Sequence, residues 1–233
     1  MEYPKLQKSF LSREDTLQVA KELLGKYLLT DIDGEGIAGG KIVEVEAYLG
    51  AEDKASHGYN NRRTKRNENL YKEGGNAYVY FCYGMYYLFN VITGKENTAN
   101  AVLIRAIEPE IGIDIMMQRK MRRLKLKNKN KNDVFFKNDF PIHKIGSVNA
   151  ILNRITSGPG LLTIALGIDL RHNGIAICEN EYKNKLEIWL EDRSVNISNK
   201  DIIETTRIGI DYAEEHVFLP WRFKIKGNTW VSK

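Results

Sequence analysis

The sequence KIVEVEAYLG at residues 41–50 predicts a central β-strand, because it alternates apolar, mostly β-branched residues with acidic ones. Positions i and i+2 of a strand face the same side, so we expect Glu44, Glu46 and Tyr48 to share one face. A solvent-exposed edge would account for a single glutamate. Two glutamates followed by a tyrosine, with His57 a few residues later, instead favour the floor of a polar pocket.

A second stretch, AYVYFCYGMYYLFN at residues 77–90, contains five tyrosines within ten residues. It predicts a β-hairpin with Gly84 in the turn, because aromatic and β-branched residues flank that glycine on both sides. Residue types leave two interpretations open. The hairpin is either part of a buried, aromatic-rich sheet or a platform on which flat rings stack, with Tyr83 at the exposed turn.

The composition indicates a globular protein with a basic balance. The 233 residues are 42% hydrophobic and carry a net charge of +5, with a pI near 9.0, so an anionic partner is expected. Cys82 and Cys178 lack neighbours at ligand spacing, so we expect neither a disulfide framework nor a zinc site. Residues 1–8 have no apolar core, and no run approaches the roughly 18 apolar residues of a membrane span. We therefore expect no signal peptide, no membrane association and a soluble, cytoplasmic protein.

The remaining pattern predicts one α/β domain of the α+β type over residues 1–233, with a curved, mainly antiparallel sheet, flanking helices and a protruding β-hairpin. Ser12 with Asp15 predicts a capped helix that ends near Gly25. A further helix is predicted over residues 111–121. Residues 175–178 and 186–190 are expected to pair as strands, and residues 206–210 and 220–225 to form short closing strands.

Two basic stretches interrupt this pattern. Residues 60–72 form a predicted loop with Arg62, Arg63, Lys65 and Arg66, which is either a solvated surface or lies against a phosphate backbone. Residues 120–137 are dominated by lysine, arginine and asparagine. We expect a mobile insertion there, most clearly at residues 125–132.

Arg105 lies within the apolar run AVLIRAIEP at residues 101–109, which predicts a buried strand. An unpaired buried charge is costly, so either Glu46 or Glu108 is expected to pair with it. The pair is either structural or part of a functional site. The glycines of SGPG at residues 157–160 precede an apolar helix, but lysine and serine or threonine do not follow at the spacing of a nucleotide-binding phosphate loop.

Together these strings resemble the alkyladenine, or 3-methyladenine, DNA glycosylase family. The resemblance rests on VEVEAYLG at residues 43–50 with Asp53 and His57, and on YVY and YGMY at residues 78–80 and 83–86. It extends to LLGK, LIRAIEP, SGPG, RIGI and PWRF at residues 23–26, 103–109, 157–160, 207–210 and 220–223. The family implies base excision repair: an enzyme without metal or other cofactor hydrolyses damaged purines from DNA, such as 3-methyladenine, 7-methylguanine, hypoxanthine and ethenoadenine. It also implies a single mixed domain with a curved antiparallel sheet.

By this resemblance Glu46 is the general base, which orients a water molecule and stabilises the oxocarbenium-like transition state. Arg105 helps to fix that water, and the main chain near Ile208 supplies a further acceptor. Purines alkylated at N3 or N7 are cationic and leave readily, so one carboxylate suffices for them. Neutral lesions need protonation of the leaving base, and the resemblance assigns no residue to that step.

The resemblance also implies that the enzyme flips the damaged base out of the duplex, at a cost of a few kcal/mol. Tyr83 would wedge into the gap that the base leaves. Tyr48, His57 and Tyr80 would sandwich the base, and their electron-rich faces favour a cationic purine. Asn90 would exclude guanine through a clash with its amino group. The expected partner is double-stranded DNA, bound by a monomer that is nucleoid-associated in a bacterium.

The chain departs from the family pattern at Leu161, where a basic residue is expected, and in the basic insertion; both bear on DNA contacts. Two other functions fit parts of the sequence. A nucleic-acid-binding module without catalysis would use the same basic loops and tyrosines but would not need Glu46. A glycoside hydrolase would use Glu44 and Glu46 as its pair, although two carboxylates on one face of one strand flank a bond poorly.

Overall fold

A curved antiparallel sheet forms the centre of the computed structural model, which describes residues 3–82, 84–128, 154–178 and 187–232. The strands within these ranges are β1 (Tyr27–Thr30), β2 (Ala38–Leu49), β3 (Ala77–Cys82), β4 (Tyr86–Thr93), β5 (Asn100–Ile111), β6 (Ile188–Glu191), β7 (Ile202–Thr205) and β8 (Arg222–Ile225). Six of them follow the order β3-β4-β5-β2-β1-β6, while β8 pairs with both β2 and β7. The mixed fold and its antiparallel sheet confirm the predicted fold class.

The predicted central strand, β2, joins the parts of the sheet. On one edge it pairs with β5 along most of its length, and on the other it pairs first with β1 and then with β8. Register shifts follow Gly39 and lie on both sides of Glu44, and such bulges bend a strand. The bend comes directly before Glu46 and Tyr48, so it sets the direction in which these two side chains leave the sheet.

Two glycines allow β2 to pack closely between its neighbours. A Cβ atom at Gly39 would lie 2.3 Å from the carbonyl oxygen of Leu28 in β1. A Cβ atom at Gly40 would lie 1.9 Å from the carbonyl oxygen of Glu108 in β5. Both distances are far inside van der Waals contact, so a larger residue at either position would displace a strand.

The α-helices in the described ranges are α1 (Lys8–Leu11), α2 (Thr16–Leu23), α3 (Ile113–Asn128) and α4 (Pro159–Leu166). Asp15 caps α2, because its side chain accepts a 2.9 Å hydrogen bond from the Gln18 amide. The predicted cap at Ser12 is wrong: its amide donates to the carbonyl oxygen of Lys8 and ends α1. Within these ranges no helix combines the length and the apolar character needed to cross a membrane.

The main core lies between the sheet and the helices α2 and α4. Its buried side chains include Leu23 of α2, Ile42 of β2, Ile104 of β5 and Leu162 of α4. All four are fully buried, and burying a side chain of this size stabilises the fold by about 1.5–3 kcal/mol. The two helices thus anchor the strands that carry the candidate site.

Three predicted elements differ in the structure. Residues 175–178 form only one isolated bridge, because their main chain bonds to the residues just before β3, and β6 pairs with β1 instead. Residues 206–210 are a loop between β7 and β8. This loop turns inward because the Arg207 side chain is buried. The helix α3 extends past residue 121 to Asn128, and the rest of the expected insertion, residues 129–137, lies outside the described residues.

Candidate active site

A cavity of about 680 Å³ opens beside the second half of β2. Its walls come from β2, the β3–β4 hairpin, the start of α4 and the loop at residues 208–212. A flat ring system of ordinary ligand size fits such a volume. The wall combines aromatic side chains with a few polar groups, among them Tyr48, His57, Tyr78, Tyr80, Asn90 and Arg105.

Glu46 is fully buried next to this cavity, and three donors surround its carboxylate. Oε1 lies 3.0 Å from Nη1 of Arg105 and accepts a 2.8 Å hydrogen bond from the main-chain N–H of Ile208. Oε2 accepts a 2.8 Å hydrogen bond from the Tyr48 hydroxyl. Arg105, Ile208 and Tyr48, which make these contacts, all line the cavity, so the carboxylate lies directly behind its wall.

Arg105 connects Glu46 to a second buried carboxylate, because its Nε donates a 2.9 Å hydrogen bond to Oε1 of Glu44. Burial opposes the charged form, but the two carboxylates outweigh it and raise the pKa of Arg105. Of the two partners predicted for this arginine, Glu46 is confirmed and Glu108 is wrong. Glu108 lies three positions along the strand, on its other face, and pairs there with Lys41 at 2.9 Å.

Glu44 braces this arrangement from behind. Its carboxylate accepts a 3.0 Å hydrogen bond from Arg222, and further bonds of 2.5 and 2.7 Å from the amide and hydroxyl of Ser232. Two arginines thereby balance the formal charges of Glu44 and Glu46. Glu44 is fully buried. Arg105 contacts both glutamates and lies between them, so they do not flank one bond from opposite sides as the glycoside hydrolase alternative requires.

Aromatic rings in edge-to-face contact form one side of the cavity. Nδ1 of His57 lies 2.8 Å from the Tyr78 hydroxyl, and the His57 ring centroid lies 4.5 Å from that of Tyr80. His57 lines the cavity and is exposed there. Partial desolvation by the surrounding protein lowers the pKa of His57, and the positive charges of Arg66 and Arg62 lower it further. The neutral imidazole is therefore favoured.

The tyrosine hydroxyls of the wall stay protonated. Burial raises the pKa of Tyr48 well above its ordinary value, and the charge of Glu46 adds to the effect. Burial likewise raises the pKa of Tyr80. Asn90 is buried at the same wall, where its Nδ2 donates a 3.1 Å hydrogen bond to the Tyr78 carbonyl oxygen. The amide of Asn90 is thereby held in a fixed orientation.

The tip of the β3–β4 hairpin projects from the cavity rim. Tyr83, at this tip, lies outside the described residues, while its neighbours Phe81 and Met85 are exposed. Arginines hold the tip from both sides: Arg66 donates a 3.2 Å hydrogen bond to the Phe81 carbonyl oxygen, and Arg123 of α3 donates a 2.9 Å bond to that of Met85. The hairpin is therefore supported where it leaves the protein.

A second buried ion pair, between Asp53 and Arg207, joins the loop after β7 to the end of β2. Nη1 and Nη2 of Arg207 lie 2.5 and 2.8 Å from the two Asp53 oxygens, and Nη1 also donates to the Ala47 carbonyl oxygen. Burial disfavours the carboxylate, but its bonds to Arg207 outweigh this and lower the pKa of Asp53. The guanidinium lies 4.8 Å from the Tyr48 ring centroid. The pair also fixes the next residue, Ile208.

The basic loop at residues 60–72 presents its charges unequally. Arg63 forms an exposed ion pair of 2.5 Å with Glu68. Arg62 and Lys65 are exposed and form no ion pair with any residue that the structure describes.

Leu161, the departure noted in the sequence, lines the cavity. In the described ranges no group of His, Cys, Asp or Glu side chains is arranged to hold a metal ion.

The structure brings most of the predicted site residues to one cavity. Those that meet at the carboxylate or along the wall are Glu46, Arg105, Tyr48, Ile208, His57, Tyr80 and Asn90. The sequence analysis placed Glu44 on the strand face of Glu46. It assigned no supporting role to Glu44, Asp53, Arg207, Arg222 or Ser232, which the structure shows bracing the site.

The chain is similar to a known family and to several proteins over most of its length. The sequence model of a family described as methylpurine-DNA glycosylase matches residues 9–229. A Clostridium botulinum protein is 46% identical over 229 residues, which cover 98% of each chain. A Clostridium perfringens protein is 44% identical over 98% of this chain and 99% of its own, and a Bacillus cereus protein is 44% identical over 94% and 95%. All three relatives carry the provisional name 3-methyladenine DNA glycosylase.

Proposed function

The chain belongs to the methylpurine-DNA glycosylase family, and we propose that it releases alkylated purines from double-stranded DNA by hydrolysing their N-glycosidic bonds. The observation that carries this proposal is the placement of Glu46. Its carboxylate is buried, held by three donors and adjacent to a cavity with aromatic walls. A fixed carboxylate beside a ring-sized cavity is what hydrolysis of a bond to a flat base requires.

The proposed reaction begins with a water molecule that donates a hydrogen bond to the carboxylate of Glu46. The water oxygen attacks C1′ of the sugar, and the bond from C1′ to the base nitrogen breaks with both electrons leaving on the base. Glu46 accepts the proton of the water, and its negative charge stabilises the oxocarbenium-like sugar. Arg105 and the Ile208 amide keep the carboxylate in place, so little reorganisation is needed as charge develops.

Access to the bond requires that the damaged nucleotide leave the base stack. Tyr83, at the tip of the hairpin between β3 and β4, would fill the gap in the duplex. The exposed Phe81 and Met85 beside it and the arginine contacts to their carbonyl oxygens support a hairpin that enters DNA. Unpairing costs less for a damaged base than for a normal one, which contributes to selectivity.

The flipped base would lie between Tyr48, His57 and Tyr80. Stacking on electron-rich rings favours a cationic alkylated purine, by about 0.5–2 kcal/mol per contact. The fixed amide of Asn90 would clash with the amino group of guanine. Deaminated purines such as hypoxanthine are neutral, and they would be released more slowly because the leaving base must be protonated. The enzyme would act as a monomer on one lesion.

The proposal is tested by base release from methylated DNA and from duplexes that carry one hypoxanthine or one ethenoadenine. The wild-type protein is compared with Glu46→Gln, and Glu68→Gln serves as a control because it makes the same change on an exposed residue. We expect Glu46→Gln to lose about 10²–10⁴ in rate and to keep its lesion affinity, since a general base contributes that much. The control should release base at the wild-type rate.

Two results would contradict the proposal. If wild-type protein binds the duplexes but releases base from none of them, the nucleic-acid-binding alternative would be favoured. If Glu46→Gln retains the wild-type rate, release would not depend on this carboxylate, and the assignment of the general base would be wrong.

A further inference from the structure

The ion pair between Asp53 and Arg207 has a consequence for substrate choice that rests on the proposed function. The geometry points to this buried pair as the control of the charge preference of the base pocket. Asp53 neutralises a guanidinium that would otherwise repel a cationic purine stacked on Tyr48. Neither residue would touch the base, so both would act through the tyrosine ring.

The position of Arg207 relative to the cavity carries this inference. Its side chain is fully buried, and the guanidinium lies 4.8 Å from the ring centroid of Tyr48 and 5.0 Å from that of Trp221. Tyr48 lines the cavity, whereas Arg207 does not. The tyrosine ring is therefore the contact between the guanidinium and any base that stacks on it.

Electrostatics explains why this guanidinium needs a partner. A cation is attracted to an aromatic face by the ring quadrupole, and a second cation near the same ring is repelled by the first. The repulsion is strong at a buried site because little solvent screens it. Asp53, at 2.5 and 2.8 Å from the guanidinium nitrogens, cancels the charge of Arg207. The pair thus leaves the Tyr48 ring available to a cationic ligand.

The surroundings of Asp53 determine which charge stays beside Tyr48 when one member of the ion pair is replaced. Besides Arg207, its carboxylate accepts hydrogen bonds from the amides of Leu49, at 3.2 Å, and Ala55, at 3.0 Å, and it lies 3.5 Å from Nδ1 of His216. The two amide donors stay in place if Arg207 is replaced. Loss of Asp53 would therefore leave a positive charge beside Tyr48, and loss of Arg207 would leave a negative one.

The test compares two duplexes that differ only in charge at one base. One carries 3-methyladenine, a cation without the amino group that Asn90 would exclude, and the other carries 3-deaza-3-methyladenine, its neutral isostere. Both have fluorine at C2′, which destabilises the oxocarbenium-like state and keeps the bond intact during the measurement. The dissociation constants are determined for the wild type, Asp53→Asn, Arg207→Gln and the double variant. Each single variant leaves a buried charge unpaired, so all measurements are made below the lowest melting temperature of the four proteins.

We expect Asp53→Asn to lower the preference for the cationic base by about tenfold. Arg207→Gln should raise that preference, and the double variant should return it to within about twofold of the wild-type value. If Asp53→Asn weakens both duplexes equally, or if the two single variants shift the preference in the same direction, the inference is overturned. Release of 3-methyladenine from an unfluorinated duplex by wild-type protein is measured in parallel. Its absence would contradict the proposed function instead.

Discussion

The main-chain N–H of Ile208 donates a 2.8 Å hydrogen bond to Oε1 of Glu46, although the two residues are 162 positions apart in the sequence. Only proline at position 208 would remove this donor, and it would also constrain the backbone there. The neighbouring donors of Glu46 and the residues that brace them are therefore the accessible points for experiment.

The Tyr48 hydroxyl should contribute to base release beyond the stacking of its ring. Tyr48→Phe keeps the ring and removes the 2.8 Å hydrogen bond to Glu46. Hydrogen bonds to charged groups contribute about 1.5–3 kcal/mol, so we expect single-turnover release to fall about 10- to 100-fold while lesion affinity is retained. Tyr27→Phe is a matched control, because that hydroxyl also donates to a carboxylate, of Glu110, away from the cavity. Equal losses in both variants would contradict the prediction.

Glu44 should matter more for stability than an exposed glutamate that also pairs with arginine. Glu44→Ala removes the carboxylate that pairs with Arg222 and one of the two that pair with Arg105, and breaking buried pairs of this kind costs about 3–5 kcal/mol in free energy of unfolding. Glu68→Ala breaks only the exposed pair with Arg63, and such pairs contribute less than about 1 kcal/mol. Urea denaturation of both variants and the wild type measures the difference. A loss below about 1 kcal/mol for Glu44→Ala would show that the brace is dispensable.

His57 should make the folded protein less stable in acid. Partial desolvation and nearby arginines lower its pKa below the ordinary 6.5, so the unfolded chain binds this proton more readily than the folded one. The stability associated with neutral His57 is complete above that ordinary value and is lost as the pH falls toward the lowered pKa. Wild-type protein should therefore lose more stability than His57→Gln between pH 7 and pH 5, by chemical denaturation. The same pH dependence of stability in both proteins would contradict the predicted contribution of His57.

The basic loop should contact phosphates through its unpaired charges. We expect Lys65→Ala to reduce the slope of log affinity against log salt concentration by about one. Arg63→Ala removes the same charge, but Arg63 is already paired with Glu68, so its effect on the slope should be less than half as large. The two slopes are measured on one undamaged duplex. An unchanged slope in Lys65→Ala would place the loop away from the DNA backbone.

Local periodicity predicted the parts of the site that lie within one or two strands. The alternation around Glu46 and Tyr48 placed their side chains on one face, and their hydrogen bond confirms it. The hairpin after residue 77 followed from its aromatic run and its central glycine. Both predictions depend on the two-residue repeat of a β-strand, and a few consecutive residues are enough to show that repeat.

The supporting contacts were not predictable because their partners are distant in the chain. Asp53 and Arg207 are 154 positions apart, and Glu44 and Ser232 are 188 positions apart. The loop around Arg207 was predicted as a strand from its apolar neighbours, since nothing local indicated that a buried carboxylate would bind its side chain. At residues 206–210 the ion pair between Arg207 and Asp53 outweighed the local preference of the sequence for a β-strand.

The contacts of β2 with distant residues form only after the last part of the chain has been synthesised. Ile208, Arg222 and Ser232 all reach the paired glutamates of β2 from the last part of the sequence. A nascent chain that has exposed only β1 to β6, or a molecule clipped before Arg207, has the hairpin and the basic loop but not the assembled carboxylate site. Base removal would thus belong to finished chains alone, and an incomplete copy would not leave abasic sites in the genome.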